Sequence, residues 1–204
     1  MADNPDLAIH LAWIVFFISW WLAAFWRKRA ANRPPGWQEL AHLAPTLLGF
    51  GLLFSTHASV SAPWVQALYR RPDVFEPIRV WETPLEAAWL GFGLAVVGFL
   101  FCWWARLHLG SLWSGSITVK EDHRVVDTGP YRLVRHPIYT GLILSALATA
   151  AEKGTALSLC GVVLIAFGFW LKARIEEGFL RTELGREAYD AYAARTPMLV
   201  PFLR

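Results

Sequence analysis

A long opening stretch of sequence without a charged side chain decides what this chain can fold into. Residues 7–26 contain no Asp, Glu, Lys or Arg, and further apolar blocks follow. A helix of about 20 mostly apolar residues crosses a bilayer, where every backbone polar group must be bonded within the protein. Only 17% of the 204 residues are charged, against roughly 25% in soluble domains. The sequence therefore predicts an all-α integral membrane protein with one membrane domain over residues 1–204, and it excludes a disordered chain.

Polar, Pro-rich and Gly-rich stretches between the apolar blocks set the predicted number of crossings. We predict about five transmembrane helices, of which the last two form a hairpin with its tip at Glu152-Lys153-Gly154. The first block lacks a basic segment before it, so we expect a retained anchor and not a cleaved signal. The predicted crossings are residues 9–26, 40–54, 85–104, 137–151 and 155–171, with an interfacial helix at 64–69.

The chain after the fifth predicted crossing has a different pattern. Over residues 174–195, apolar side chains recur at helical spacing with charged residues between them. A helix of this kind lies in the membrane surface with its apolar face towards the lipid. We therefore expect a C-terminal amphipathic helix. Its apolar positions are Ile175, Phe179, Leu180, Leu184, Ala188, Tyr189 and Tyr192.

The distribution of basic residues predicts the orientation in the membrane. Fifteen of the 19 Lys and Arg residues lie in three segments, residues 27–42, 105–136 and 172–204, which five crossings place on one side. Because basic residues concentrate in cytoplasmic loops, the N-terminus is expected outside and the C-terminus in the cytoplasm. The loop at 106–136 is then cytoplasmic as well. It is too long for an idle connector, so loop and tail are expected to build one site.

The basic character of the chain does not indicate nucleic acid. A pI of about 9.1 is compatible with that partner, but the basic residues sit beside apolar blocks and do not form a polar face. Cys102 and Cys160 both lie inside apolar blocks. We therefore expect no disulfide, no metal site and no nucleic-acid partner. The expected partners are membrane lipids and a lipophilic or lipidated substrate.

The densest polar cluster precedes the predicted hairpin, at residues 129–141. Pro137 suits the first position of a helix, which puts His136 at the N-cap beside the free N–H groups of the helix start. A helix start attracts a carboxylate or phosphate, and Arg135 adds a positive charge. Tyr131 and Tyr139 offer aromatic faces for a purine or a cation. The alternative is a plain helix start with snorkelling Arg and interfacial Tyr side chains.

A second cluster, Glu176-Glu177, follows the fifth predicted crossing. Two adjacent carboxylates at a membrane boundary are costly unless they are paired or solvated. They can hold ribose hydroxyls or face a cationic centre, or they can form intrahelical pairs with Lys172 and Arg174. Because the predicted topology places both clusters on one face, they favour a zwitterionic, aromatic and partly cationic ligand.

The order and spacing of these two clusters resemble the signature of the isoprenylcysteine carboxyl methyltransferases, which the membrane phospholipid N-methyltransferases share in part. The resemblance covers residues 106–201, roughly half of the chain, and separates residues 1–105, the N-terminal crossings, from residues 106–204, a cofactor-binding region. It rests on Gly129, Pro130, Tyr131, Arg135, His136, Pro137, Tyr139, Gly141, Glu176, Glu177 and Leu180, with Leu184, Gly185, Tyr189, Tyr192 and Pro197 in the tail.

The resemblance implies an integral membrane methyltransferase that uses S-adenosyl-L-methionine, with a cofactor pocket formed by the loop, the Arg-His-Pro junction and the glutamates. A lipophilic, isoprenylcysteine-like substrate would enter between the helices. The implied catalytic residues are Arg135 and Glu177. The implied cofactor-binding residues are Val125, Val126, Tyr131, His136, Pro137, Tyr139, Glu176, Glu177 and Leu180.

The chemistry of the acceptor separates the alternatives. A carboxylate is already ionised near neutral pH and requires no base, and the guanidinium of Arg135 suits its orientation. An amine acceptor, as in a phospholipid N-methyltransferase, requires a base such as a glutamate. A membrane NADPH-dependent sterol-type reductase would need Lys120, Arg124 and Arg132 for the 2′-phosphate. A non-enzymatic scaffold or transporter component is the remaining alternative.

Overall fold

The computed structural model describes residues 4–23, 36–55, 78–110, 113 and 125–203. Within these ranges the regular structure is helical, apart from one β-bridge between Arg79 and Thr155. A short 3₁₀ turn, Gly129–Arg132, precedes the fourth α-helix. The helices are α1 Pro5–Ala23, α2 Gly36–Phe54, α3 Leu85–Leu109, α4 Pro137–Lys153, α5 Ala156–Leu184 and α6 Arg186–Arg195.

Helices α1 to α5 alternate in direction through the bundle. Lys153 Nζ lies 3.2 Å from Asp6 Oδ1, which places the end of α4 beside the start of α1. The guanidinium of Arg106 donates to the carbonyl of Ala23, which places the ends of α3 and α1 together. We call the two ends of the bundle the hairpin end, around Gly154, and the junction end, around Arg135-His136-Pro137.

Glycines allow two pairs of helices to pack with their backbones in close approach. A Cβ on Gly98 of α3 would lie 2.6 Å from the carbonyl oxygen of Gly141 on α4, and a Cβ on Gly141 would lie 2.5 Å from that of Gly98. Gly49 of α2 and Gly161 of α5 are related in the same way, at 2.6 Å each. Small residues at helix crossings are typical of membrane proteins, where van der Waals packing replaces the hydrophobic effect between helices.

Trp13 connects α1 to the rest of the core. Its indole N–H donates to Thr149 Oγ1 at 2.9 Å, so the polar edge of this buried ring is satisfied. Its ring lies 4.7 Å from the ring of Phe99 in an edge-to-face arrangement, a geometry that favours aromatic pairs. The same residue therefore fixes α1 against both α3 and α4.

The structure confirms a membrane protein with apolar helices. Among the described residues, three helices have the length and composition to cross a bilayer, Pro5–Ala23, Leu85–Leu109 and the stretch Ala156–Glu183 of α5. Leu40–Phe54 is a shorter apolar helix. The count of five crossings therefore stays a prediction, and the predicted interfacial helix at 64–69 lies outside the described residues.

The boundary predicted after the fifth crossing is wrong. A separate surface helix was expected over residues 174–195, whereas α5 continues without a break to Leu184 and only Arg186–Arg195 forms a second helix. The reason is that a change from apolar to amphipathic composition at residue 174 brings no Pro that would end a helix before Gly185. The chain turns at Gly185, whose φ of +91° is a conformation that glycine adopts readily.

Candidate functional site

The 3₁₀ turn Gly129–Arg132 leads the chain into the junction at Arg135-His136-Pro137. Gly129 has φ +57°, and a Cβ there would lie 2.7 Å from the ring of His108, so glycine suits this position on two counts. The carbonyl of Tyr131 accepts a hydrogen bond from the hydroxyl of Tyr192 at 2.7 Å. Helix α6 thereby holds the turn in place, and Pro137 occupies the first turn of α4 as the sequence predicts.

The chain after α6 folds back over the junction, and we call residues 196–203 the C-terminal strap. The backbone N–H of Arg135 donates to the carbonyl of Pro197 at 2.8 Å, and that of His136 to Met198 at 3.1 Å. Thr140 Oγ1 donates to the carbonyl of Leu199 at 2.6 Å. Two backbone N–H groups beside the helix start are therefore bonded to the strap. Sequence patterns do not reveal this contact, because the strap has no regular periodicity.

The two glutamates of α5 meet the imidazole of His136. Glu177 Oε1 lies 3.2 Å from His136 Nε2, and Glu176 Oε2 lies 3.8 Å from His136 Nδ1. The hydroxyl of Tyr139 donates to Glu176 Oε2 at 2.7 Å. The glutamate side chains differ in access to solvent, at 3% exposed for Glu177 and 28% for Glu176. The two sequence clusters thus converge on one ring, as the sequence predicts for a shared site.

Arg135 directs its hydrogen bonds at oxygens of the protein. Its Nε donates to Glu177 Oε1 at 2.7 Å, and its side chain is 11% exposed. Its Nη1 donates to the carbonyls of Ala193, at 3.0 Å, and Thr196. The guanidinium therefore connects α5, α6 and the strap through one buried charge.

Arg181 extends this network to the second oxygen of Glu177. Its Nη1 lies 3.4 Å from Glu177 Oε2, and its Nε lies 2.6 Å from Asp190 Oδ1 on α6. The four-residue spacing of Glu177 and Arg181 on one helix is a signal that the sequence offered. Glu177 consequently has cationic or hydrogen-bonding partners at both of its oxygens.

Aromatic rings continue from the junction into the bundle. The rings of His136 and Tyr139 are nearly parallel, at 5.3 Å between centroids and 4° between planes. The ring of Phe169 on α5 lies 5.1 Å beyond Tyr139. Tyr139 is thus packed among protein rings, and the ammonium of Lys172 lies 5.4 Å from the centre of its ring. Phe169 is a further residue that the sequence analysis did not single out.

The buried tyrosines around the glutamates are neutral. Burial raises the pKa of Tyr131 well above its usual value, and the nearby charge of Glu176 raises it further. Burial and then the charge of Glu177 raise the pKa of Tyr189. Burial likewise raises the pKa of Tyr192. These phenols can donate hydrogen bonds but cannot serve as bases near neutral pH.

For the remaining residues of the predicted site, the structure gives the burial of each side chain. Pro137 is fully buried at the helix start. Val125, Val126 and Leu180 are partly buried, with Leu180 one helical turn beyond Glu176. Their roles stay predictions. Of the basic residues considered for a nicotinamide nucleotide, Lys120 and Arg124 lie outside the described residues.

Comparison with known proteins defines the class to which this region belongs. Residues 89–180 match the model of the isoprenylcysteine carboxyl methyltransferase (ICMT) family, a stretch that runs from α3 past the Glu176-Glu177 pair. The resemblance seen in the motifs is therefore confirmed over residues 89–180, a little under half of the chain.

Individual relatives agree over part of their length. A probable protein-S-isoprenylcysteine O-methyltransferase from Oryza sativa subsp. indica is 31% identical over 120 residues, 57% of this chain and 62% of the rice protein. The cobalt-zinc-cadmium resistance protein CzcN of Cupriavidus metallidurans is 33% identical over 127 residues, 60% of this chain and 52% of that protein. The matches thus span less than two thirds of either relative.

A solved structure shows a limited likeness. The structure of the eukaryotic intramembrane Ras methyltransferase ICMT aligns with a TM-score of 0.48 at 16% identity, covering 80% of this chain and 63% of that one.

Proposed function

We propose that this protein is an integral membrane methyltransferase that uses S-adenosyl-L-methionine to methylate the carboxylate of a lipophilic, isoprenylcysteine-like acceptor. The observation that carries the proposal is the convergence of Glu176 and Glu177 on His136, with Arg135 paired to Glu177. The family match over residues 89–180 supports the same chemistry.

The residues at the junction suit a zwitterionic nucleotide. S-adenosyl-L-methionine supplies a methyl group on a sulfonium, together with ribose hydroxyls, an ammonium and a carboxylate. Glu176 is the more exposed of the two carboxylates. An ionised carboxylate only accepts hydrogen bonds, so it suits the ribose hydroxyls or the ammonium, which donate them. We propose that His136, Tyr139 and Glu176 contact the cofactor directly. Val125, Val126, Tyr131, Pro137 and Leu180 would form the walls, and Glu177 would shape the pocket through His136.

A carboxylate acceptor fits the protonation states at the site. It is ionised at neutral pH, so it would accept the methyl group that a bound S-adenosylmethionine supplies, with the S–CH₃ bond broken and adenosylhomocysteine released, and no residue would have to accept a proton. The protein then contributes alignment and the removal of water from two opposite charges. Arg135 acts here as a positioning residue that holds Glu177, since its Nε and Nη1 are already bonded to protein oxygens.

The alternative, N-methylation of a phospholipid or another amine, requires a base. Glu177 already interacts with Arg135, His136 and Arg181 at its two oxygens. A carboxylate with three cationic or donor partners is a poor proton acceptor. Glu176 would remain as the base, but Tyr139 donates to it. The geometry therefore favours O-methylation over N-methylation.

We also propose that all of α1 to α5 cross the membrane. Their alternating directions place the end of α1 and the start of α4 at the junction end. The distribution of Lys and Arg puts that end in the cytoplasm, with the N-terminus outside. The soluble cofactor would then reach the site from the cytoplasm, and the acceptor from the bilayer.

The test is a methyl-transfer assay with the full-length protein in lipid nanodiscs. Radiolabelled S-adenosylmethionine is incubated with a prenylcysteine analogue, phosphatidylethanolamine or a small thiol. We expect label in the prenylcysteine fraction that mild base releases, as it would from an ester. Base-stable label in the phospholipid would establish N-methylation instead. Binding of NADPH without binding of adenosylhomocysteine would establish the reductase, and binding of neither would overturn the enzyme proposal.

A further inference from the structure

The strap ends in an apolar tip that packs against little of the protein. The side chains of Phe202 and Leu203 are 95% and 68% exposed, and that of Val200 is also exposed. The N–H of Leu203 donates to the carbonyl of Val200 at 3.2 Å, which closes a turn. Phe202 has a φ of +67°, a conformation that bulky L-residues rarely adopt. The turn thus presents large apolar side chains outward.

Before it reaches this tip, the strap runs alongside the start of α4. Its successive carbonyls, from Pro197 to Leu199, accept from Arg135, His136 and then Thr140. Thr140 lies three residues inside α4, so the strap advances about 4.5 Å along that helix at about 1.5 Å per residue. The strap therefore runs along the first turn of α4 as far as Leu199, and the turn at residues 200–203 follows from that point.

The level reached by the strap lies within a candidate membrane span. Gly141, next to Thr140, packs against Gly98 and Cys102 of α3. Cys102 lies about two helical turns before the end of α3, the helix Leu85–Leu109 that qualifies as a crossing. The Leu199 carbonyl therefore lies at a level of the bundle that lipid surrounds, and the exposed apolar side chains of the tip follow it directly in the chain.

The charges around the tip agree with that depth. Residues 196–203 contain no ionisable side chain, and arginines flank them at positions 195 and 204. Apolar side chains between basic residues are typical of segments that insert at the boundary between acyl chains and headgroups.

We propose that Val200, Phe202 and Leu203 insert into the lipid leaflet at the junction end and anchor the strap on Arg135 and His136. The partner is the acyl region of the bilayer. The carbonyls of the strap accept hydrogen bonds from the backbone N–H groups of Arg135 and His136. By holding the tip of the strap, the bilayer would therefore stabilise the junction. The inference depends on the placement of the strap and is independent of the proposed methyl transfer.

Site-directed spin labelling in nanodiscs tests the insertion. The exposed Cys160 is first replaced by serine so that it does not take up the label. The remaining native cysteine, Cys102, is buried, and its thiol donates to the carbonyl of Ile138. Nitroxides are attached to Phe202→Cys, to Val163→Cys on an exposed apolar position of α5 and to Glu187→Cys on an exposed position of α6. We expect the label at 202 to collide with oxygen and to be protected from a water-soluble nickel chelate, as at 163. Nickel access at 202 equal to that at 187 would overturn the proposal.

Hydrogen exchange tests the anchoring without a label. We expect Phe202→Ser with Leu203→Ser to speed exchange of the Arg135 and His136 amides in nanodiscs. Leu147→Ser, an exposed apolar position of α4, is the matched control and should leave those amides unchanged. If the double variant exchanges at the rate of the control, the tip does not anchor the strap.

Discussion

Removing the charge of Glu177 should destabilise the protein even when no ligand is bound. The variant Glu177→Gln keeps the size of the side chain but leaves Arg135, only 11% exposed, beside a neutral amide. Breaking a buried ion pair costs about 3–5 kcal/mol, because one charge remains buried without its partner. Arg135 keeps its bonds to the carbonyls of Ala193 and Thr196. We therefore expect the lower end, about 3 kcal/mol.

The assay is thermal unfolding of the ligand-free protein in detergent micelles. A loss of about 3 kcal/mol corresponds to a Tm lower by about 6–12 °C for a chain of this size. Glu187→Gln on the exposed surface of α6 is the matched control, and it should change the stability by no more than about 0.5 kcal/mol.

A double-mutant cycle then isolates the pair. Arg135→Gln, Glu177→Gln and the double variant are compared, and residues in direct contact show coupling energies of about 0.5–3 kcal/mol. We expect coupling of about 2 kcal/mol, since Glu177 also contacts Arg181 and retains part of its network. Additive effects of the two single variants would refute the idea that Arg135 positions Glu177.

Three further predictions concern packing and the site. Gly161→Leu should lower the Tm strongly, because its Cβ would lie 2.6 Å from a carbonyl of α2, whereas Gly93→Leu, with nothing within 4 Å, should fold normally. Tyr192→Phe should cost about 1 kcal/mol in thermal unfolding by removing the bond to the Tyr131 carbonyl; an unchanged Tm would show that the bond contributes nothing. Glu176→Gln should weaken adenosylhomocysteine binding in calorimetry while membrane insertion is retained, and an affinity equal to that of the unaltered protein would remove Glu176 from the cofactor site.

Local patterns in the sequence were sufficient to predict much of the helical architecture. The uncharged blocks predict α1, α3 and the hairpin, since a helix in lipid needs only its own length and apolarity. The hairpin tip follows from Gly154, whose φ of +62° ends α4. Motif order was sufficient to predict that His136 and Glu177 lie close together, because adjacent helix ends on one side of a membrane are close in space.

Contacts between segments that lie far apart in the chain could not be predicted from local sequence patterns. The strap bonds Pro197 and Met198 to residues about 60 positions earlier, and no local pattern encodes such a pairing. The partners of Arg135, which are Glu177 and the carbonyls of Ala193 and Thr196, were missed for the same reason. The continuation of α5 to Leu184 was missed because a change from apolar to amphipathic composition does not break a helix.

Photo-cross-linking of the cofactor tests whether the junction and the glutamates of α5 form one binding site. Radiolabelled S-adenosylmethionine is bound to the full-length protein in nanodiscs, irradiated with ultraviolet light and mapped by peptide sequencing. We expect label within residues 129–141 or 175–181, displaced by adenosylhomocysteine and not by NADPH. Label confined to other segments, or label that adenosylhomocysteine does not displace, would contradict this expectation.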